Sequence, residues 1–380
     1  MKKIVTIGEL GIIITGNTPP RSNPKLYGNY TPFIKATDIS ETEKYTYHPE
    51  EYYSEEGYNK YIKSLIPKGS TCVVTIGSIG KKMTMAHCDL FINQAMNAII
   101  PNENFDNEYV YYAVKNILPN IKMLDSGTAS GRENVSKSAF SKMQILIEDN
   151  IITQRRIAEI LSRYDSLIEN YQKQIKLLEE SAQRLYKEWF VDLRFPGHEN
   201  TKIVDGVPEG WKKMCLKEVS HILTGKKDAN FGDVGGEYLF FTCAKEPIRA
   251  SSYSFDCDAV ILAGNGDFNV KLYRGKFEAY QRTYVFSPFN SINLFLLFYS
   301  VNNSMQQLFM GASGSTIKFL TKQMLEQISI LSPSSKIATQ FYEVCDRNQK
   351  KVEILKRQID ILIEARDRLL PKLMNGEIEV

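Results

Sequence analysis

Chemistry that makes or breaks covalent bonds needs groups that converge, and this 380-residue chain offers few. A loop that methylates adenine places an aromatic side chain after Asn-Pro-Pro, to stack on a base turned out of its helix. Here Asn17-Thr18-Pro19-Pro20 has threonine in second place and Arg21 after the prolines, so no ring is there to stack. Gly264-Asn265-Gly266 has no third glycine, and Gly225-Lys226-Lys227 lacks the upstream glycine of a phosphate loop; both are expected to be turns. The histidines His48, His87, His198 and His221 have no serine, cysteine or aspartate at a catalytic spacing, and acids paired as in a nuclease are not evident. Cys72, Cys88, Cys215, Cys243, Cys257 and Cys345 include no Cys-x-x-Cys pair, so neither a zinc site nor a disulfide framework is expected, and buried free thiols are. No catalytic residue and no metal ligand is assigned.

Binding is the remaining class of chemistry. The net charge is only +3, but from Gly57 to Cys88 there is no acidic residue while Lys60, Lys63, Lys68, Lys81 and Lys82 are all present. Such a run concentrates positive potential against phosphates even in a nearly neutral chain. Met1-Lys2-Lys3-Ile4-Val5 is no secretory leader, because Glu9 interrupts the apolar stretch, and no segment reaches the roughly 20 apolar residues that cross a bilayer. A cytoplasmic location without membrane contact is expected.

The elements that would position binding groups occur twice. Ile7-Gly8-Glu9-Leu10 leads to Thr15-Gly16, and Leu216-Lys217-Glu218-Val219 leads to Thr224-Gly225. Strand-like runs follow, Pro32 to Ala36 and Tyr238 to Thr242, then apolar runs ended by glycine, Cys72 to Gly77 and Ala259 to Gly264. Each half continues with a helix (Tyr109 to Ile117; Leu294 to Leu308), a small-residue loop (126–132; 311–316) and a long polar helix. Pro and Gly between Phe195 and Trp211 mark the boundary, with Trp189 and Trp211 as packing anchors at the junction.

In the first long helix Ile157, Leu161, Tyr164, Ile168, Tyr171, Ile175, Leu178, Ala182, Leu185 and Trp189 alternate steps of four and three, a heptad seam. The second repeats the steps from Phe341 through Cys345, Asn348, Val352, Leu355, Ile359, Leu362 and Arg366 to Leu369, and is expected to end before Pro371. One seam per helix requires a partner, and the simplest closure is an antiparallel pair within the chain rather than a coiled coil between copies. Asn348 and Arg366 interrupt the second seam, and polar core residues of this kind specify pairing. The expected fold is α+β: two globular domains separated by two long antiparallel helices, with a pseudo-twofold repeat. Expected boundaries are 1–150, 151–194 for the central helix, 195–333, and 334–380 for the C-terminal helix.

Gln154-Arg155-Arg156-Ile157-Ala158-Glu159-Ile160-Leu161, running on to Lys187-Glu188-Trp189-Phe190-Val191-Asp192 and Pro208-Glu209-Gly210-Trp211, closely resembles the central region of type I restriction specificity subunits. The two-domain, two-helix order extends the resemblance over essentially the whole chain. Phe33 to Ile39 and Asn93-Gln94-Ala95 look like part of a target recognition domain of that family. Two departures stand out: Glu148 to Thr153 replaces the family's proline-rich lead-in, and Ser334-Ser335-Lys336-Ile337-Ala338 keeps little of the motif in the second copy.

The resemblance implies a non-catalytic subunit that reads a split double-stranded DNA target. The helices would act as a spacer of ~50 Å, roughly one and a half turns of B-DNA. Base edges and phosphates would be met by Lys35, Thr37, Ser78, Lys81, Lys82, Gln94 and Arg132 in the first domain. In the second they would be met by Thr242, Lys245, Asn265, Asn269, Lys271, Arg274, Arg282 and Lys318. It further implies docking of two modification subunits, with Arg155, Arg156 and Glu159 as contacts, and of restriction subunits; S-adenosylmethionine, ATP and magnesium would belong to those partners. A protein-binding scaffold and a stand-alone DNA-modifying enzyme are the rival classes.

Overall fold

The computed structural model describes residues 2–127, 133–266, 268–311 and 318–380. Two compact units emerge: Met1–Lys173 with Leu355–Val380, and Gln174–Ile354. The small-residue loops lie largely outside the described residues, and Arg132 wholly so.

Unit 1 opens with β1 (Lys2–Thr6), α1 (Ile7–Leu10) and β2 (Gly11–Thr15). Thr6 and Glu9 form a reciprocal capping box at the start of α1. Then come β3 (Tyr27–Ile34), β4 (Glu51–Tyr53), α2 (Glu55–Tyr61), β5 (Thr71–Val74), β6 (Met83–Met85), β7 (Phe91–Ile92) and β8 (Met96–Pro101). After α3 (Asn107–Ile117), α4 (Lys137–Lys142) and β9 (Gln144–Glu148), the long α5 (Ile151–Tyr186) begins. The strands form one sheet in the order β2-β8-β5-β6, a second in the order β4-β3-β7, and the pair β1-β9.

Within unit 2 the end of α5 is followed by a small hairpin of β10 (Ile203–Val204) and β11 (Val207–Pro208). The unit then repeats the order with β12 (Lys212–Cys215), α6 (Leu216–Val219), β13 (Ser220–Thr224), β14 (Tyr238–Phe241), β15 (Ile248–Ala250), β16 (Phe255–Ala263), β17 (Val270–Ala279) and β18 (Thr283–Pro288). Next come α7 (Leu294–Gly311), α8 (Lys322–Glu326), β19 (Ser329–Ser332) and the second long helix, α9 (Ser335–Asn375). Here one sheet runs β13-β18-β16-β17-β14-β15, with the pair β12-β19 beside it. The antiparallel pairs β2-β8 and β8-β5 correspond to β13-β18 and β18-β16; the parallel pair β3-β7 corresponds to β14-β17. The α+β repeat expected from the sequence is present. What differs is that the long β17, turned at Gly275 with φ +106°, covers the work of both β6 and β7 and fuses the two sheets into one.

The Thr-Gly turns recur because chain passes directly behind them. A Cβ on Gly16 would stand 2.1 Å from the Asn93 carbonyl oxygen, and one on Gly225 would stand 2.1 Å from that of Ala279. No side chain fits at either place.

Both long helices pack antiparallel within the units: the start of α5 lies with the end of α9 in unit 1, and the end of α5 with the start of α9 in unit 2. Buried positions on the two helices correspond at a spacing of 180 residues: Ile157 with Ile337, Leu161 with Phe341, Asp165 with Cys345 and Tyr186 with Arg366; Asp165 and Tyr186 take the places expected for Tyr164 and Leu185, which are only half-buried. Gln154, which has no counterpart amide at Ser334, is fully buried; its carbonyl accepts from the Asp106 N–H at 2.9 Å and its amide donates to the Glu148 carbonyl at 2.8 Å. It therefore anchors the start of α5 to β9 and α3.

Three expectations need correction. The second long helix continues through Pro371 to Asn375, because Leu370, Leu373 and Met374 are buried in the unit 1 core and outweigh the one backbone hydrogen bond a proline removes. Lys2 Nζ caps the end by donating to the carbonyls of Leu373, at 2.9 Å, and Met374. Of the six thiols, only Cys72 and Cys345 are buried; the other four are half-buried. Arg366, expected to spoil the seam, is 1% exposed and completes it: its guanidinium pairs with Asp165, whose other carboxylate oxygen accepts from Tyr112.

Candidate nucleic-acid interface

At one end of the first sheet in unit 1, the last residue of β2 meets the start of β8 and the end of β5. Asn97, buried in the middle strand, accepts from the Thr15 hydroxyl at 2.6 Å and donates to the Thr75 hydroxyl at 2.9 Å, tying the three strands at their ends. The loops leaving these strands are cross-linked by backbone hydrogen bonds. Asn17 N–H donates to Ile92 O at 2.9 Å, Asn93 N–H to Ile34 O at 3.1 Å, Thr75 N–H to Ala95 O at 2.8 Å and Gly77 N–H to Glu133 O at 3.0 Å. With the backbone satisfied in this way, side chains on the loops are left to meet a partner.

Candidate residues gather there. Thr37, Ser78, Lys81 and Gln94 are exposed and Lys82 is half-buried, while Gln94 accepts from the Thr18 hydroxyl. Lys35 is not free. Its ammonium pairs with Glu50 and lies 3.1 Å from Glu51, which also takes a bidentate grip from Arg21 at 2.9 Å per bond. The Glu50 carboxylate, with Glu51 behind it, raises the Lys35 pKa, and Arg21 lowers that of Glu51. A phosphate entering here would compete with carboxylates for these cations.

Unit 2 builds the corresponding end from different residues. Asn269 donates to the Cys243 carbonyl at 2.9 Å, and Lys271 donates to the Ala244 carbonyl at 2.9 Å and pairs with Asn269. Thr242 and exposed Lys245 flank that tie. Gly264 N–H donates to Arg282 O at 2.8 Å, Gly225 N–H to Thr283 O at 3.1 Å, and Asn265 bridges to Phe319. Lys318 donates to the Phe309 carbonyl at 3.2 Å and stands 3.9 Å over that ring. Thr242, Lys245, Asn265, Asn269, Lys271, Arg282 and Lys318 are thereby brought together.

Arg274 is the exception. Its side chain leaves the middle of β17 toward α9, with Nη1 2.6 Å from Asp346, Nε 3.7 Å from Asp258 and the guanidinium 5.1 Å from the Phe295 ring centre. Its charge is neutralised inside the unit. The sequence reading also passed over Gln281 and Phe319, which line a hollow of about 320 Å³ with Arg282 and Tyr284. Phe319 is 44% exposed, and an aromatic three residues after a small-residue loop was the available signal.

On α5, Arg155 lies 3.8 Å from Asp106, Arg156 is exposed, and Glu159 pairs with Arg163 at 2.5 Å. All three present charge on the outer face of the helix. Among the described residues no helix is long and apolar enough to cross a membrane, and no cluster of His, Cys, Asp or Glu could hold a metal ion.

The chain resembles known proteins along its length. The EcoDI specificity subunit of the type I restriction enzyme from Escherichia coli is 39% identical over 176 residues, which take in 45% of this chain and 39% of that protein. The MjaIX specificity subunit from Methanocaldococcus jannaschii is 25% identical over 414 aligned positions, covering 100% of this chain and 93% of the relative. In fold, the S subunit of a type I restriction-modification system from M. genitalium superposes with a TM-score of 0.60 at 17% identity, over 98% of this chain and 96% of that one. The family model described as the type I restriction modification DNA specificity domain matches twice, at residues 2–180 and 208–370, each match holding one loop cluster and the helix that follows it, and the chain belongs to that family.

Proposed function

We propose that this chain is the specificity subunit of a type I restriction-modification complex and reads a bipartite duplex DNA target, one part with each loop cluster. The observation that carries the reading is the repeated construction: two units with the same strand pairings bring polar and cationic side chains to the same end of the corresponding sheet. Side chains at such an end reach base edges, and neighbouring cations set register on phosphates. The chain supplies no reacting group of its own; methylation with S-adenosylmethionine and ATP- and magnesium-dependent cleavage belong to modification and restriction subunits. Two modification subunits dock on the helices, with Arg155, Arg156 and Glu159 among the contacts.

Selection of random duplex DNA with the full chain and a modification subunit, near physiological salt, tests this. Two short defined blocks around a fixed unspecified gap are the expected result. A single block, or none, would replace the reading with a protein-binding scaffold, and methylation by the isolated chain would replace it with an enzyme.

A further inference from the structure

Beside the unit 1 loop cluster lies a hollow of about 650 Å³ lined by Ile14, Thr15, Asn17, Asn59 to Ser64 and Lys137. Its cations come from three places in the chain: Lys60 near the end of α2, Lys63 in the following 3₁₀ turn, and Lys137 at the start of α4. All three are exposed, and no carboxylate of the described residues pairs with any of them. Four other cations of the same unit, Arg21, Lys35, Lys44 and Lys122, are by contrast each held by glutamate. The lining contains no acid at all, and Asn17, Asn59, Thr15 and Ser64 add neutral hydrogen-bonding groups between the lysines.

The hollow is continuous with the candidate reading residues. Asn17 lines it and Thr18, the next residue, hydrogen-bonds Gln94. Lys137 follows Val135, whose N–H donates to the Thr75 carbonyl at 2.9 Å, three residues before Ser78. Three cations that no carboxylate of the described residues holds, Lys60 with only the Tyr61 ring 5.8 Å away, on an acid-free surface next to the candidate reading side chains match a polyanion with regularly spaced charges.

We propose that Lys60, Lys63 and Lys137 seat the sugar-phosphate backbone of the duplex that unit 1 reads, setting register without reading sequence. This rests on the DNA-binding reading above. It assigns the acid-free stretch after Gly57 a place: Lys60 and Lys63 are on the phosphate seat and Lys81 and Lys82 on the adjoining loop.

The test is equilibrium binding of the full chain, with its modification subunit, to a fluorescent duplex carrying the selected target, across a salt series. Each phosphate contact contributes about 0.9 to the slope of log K against log salt, so K60Q/K63Q/K137Q should flatten the slope by about 2.7 and weaken binding roughly 10²- to 10³-fold near 0.1 M salt. The selected target sequence should be unchanged. A control with the same charge change at exposed lysines of β12 and α6 in unit 2, outside the loop clusters and the long helices, K212Q/K213Q/K217Q, should keep the wild-type slope. An unchanged slope in the triple variant, or equal flattening by the control, overturns the proposal while leaving DNA reading intact. Absence of wild-type binding to any duplex overturns DNA reading itself. All three lysines are exposed, so a thermal melt matching wild type should accompany the expected result.

Discussion

Corresponding positions on the two seams are filled in opposite ways. In unit 1, Asp165 and Arg366 form an ion pair almost out of reach of water, with side chains 4% and 1% exposed, and Tyr112 completes the carboxylate. In unit 2 the same positions hold Cys345 and Tyr186, surrounded by rings: Tyr186 to Tyr299 at 5.6 Å and Phe190 to Phe341 at 4.9 Å. The Tyr186 hydroxyl meets Ser300 at 3.2 Å. A seam closed by charge fails when one partner is removed, whereas a seam closed by volume loses only what the missing atoms contributed. One helix pair thus contains two kinds of vulnerability.

The largest effect should come from Arg366→Ala, which leaves Asp165 buried without a cation; a loss of about 3 to 5 kcal/mol is expected in urea unfolding followed by circular dichroism. Replacing both partners by leucine should recover most of it. Cys345→Ala, at the matched position, should cost only ~1 kcal/mol. If the two single variants lose the same amount, the distinction between the seams is wrong.

Gly16→Ala and Gly225→Ala ask whether the shared turn is equally tight in both units. Each places a methyl group 2.1 Å from a carbonyl oxygen, and each should destabilise by about 1 to 3 kcal/mol. A wild-type melting temperature for either would mean that its turn can open.

The smallest effect is in pH. Burial, followed by the nearby Arg366 charge, pushes the Lys115 pKa down to about 8. Between there and its unfolded value near 10.4 the unfolded chain binds the extra proton, so stability should rise with pH across that window. Above about pH 10 the trend should reverse, because burial raises the pKa values of Tyr111 and Tyr112 and keeps them protonated in the fold. Lys115→Met should abolish the rise; its persistence would place the titration elsewhere.

The helices and the repeat were legible because each rests on local spacing: a heptad pattern and a Thr-Gly turn. The fused sheet of unit 2 was not, since strand partners are chosen over distances that periodicity does not record, and Gly275 looks like any other loop glycine. Arg274 shows the same limit at the candidate site. In the sequence it is one more cation near Lys271, and only strand direction reveals that it faces Asp346 rather than the loops. Asp165 was hidden because a charged residue on a helix is ordinarily a solvated one; only the complementary Arg366, 201 residues away, makes its burial sensible.

The unequal seams also say which half can recognise which. Two first halves meeting through this seam would set Asp165 against Tyr186, a carboxylate with hydroxyls but no cation, and two second halves would set Arg366 against a thiol. Either arrangement buries an unanswered charge twice, at several kcal/mol each time. The ion pair therefore works as an address written in two parts, one on each long helix, under which each half of the chain is complementary to the other and unsuited to its own copy.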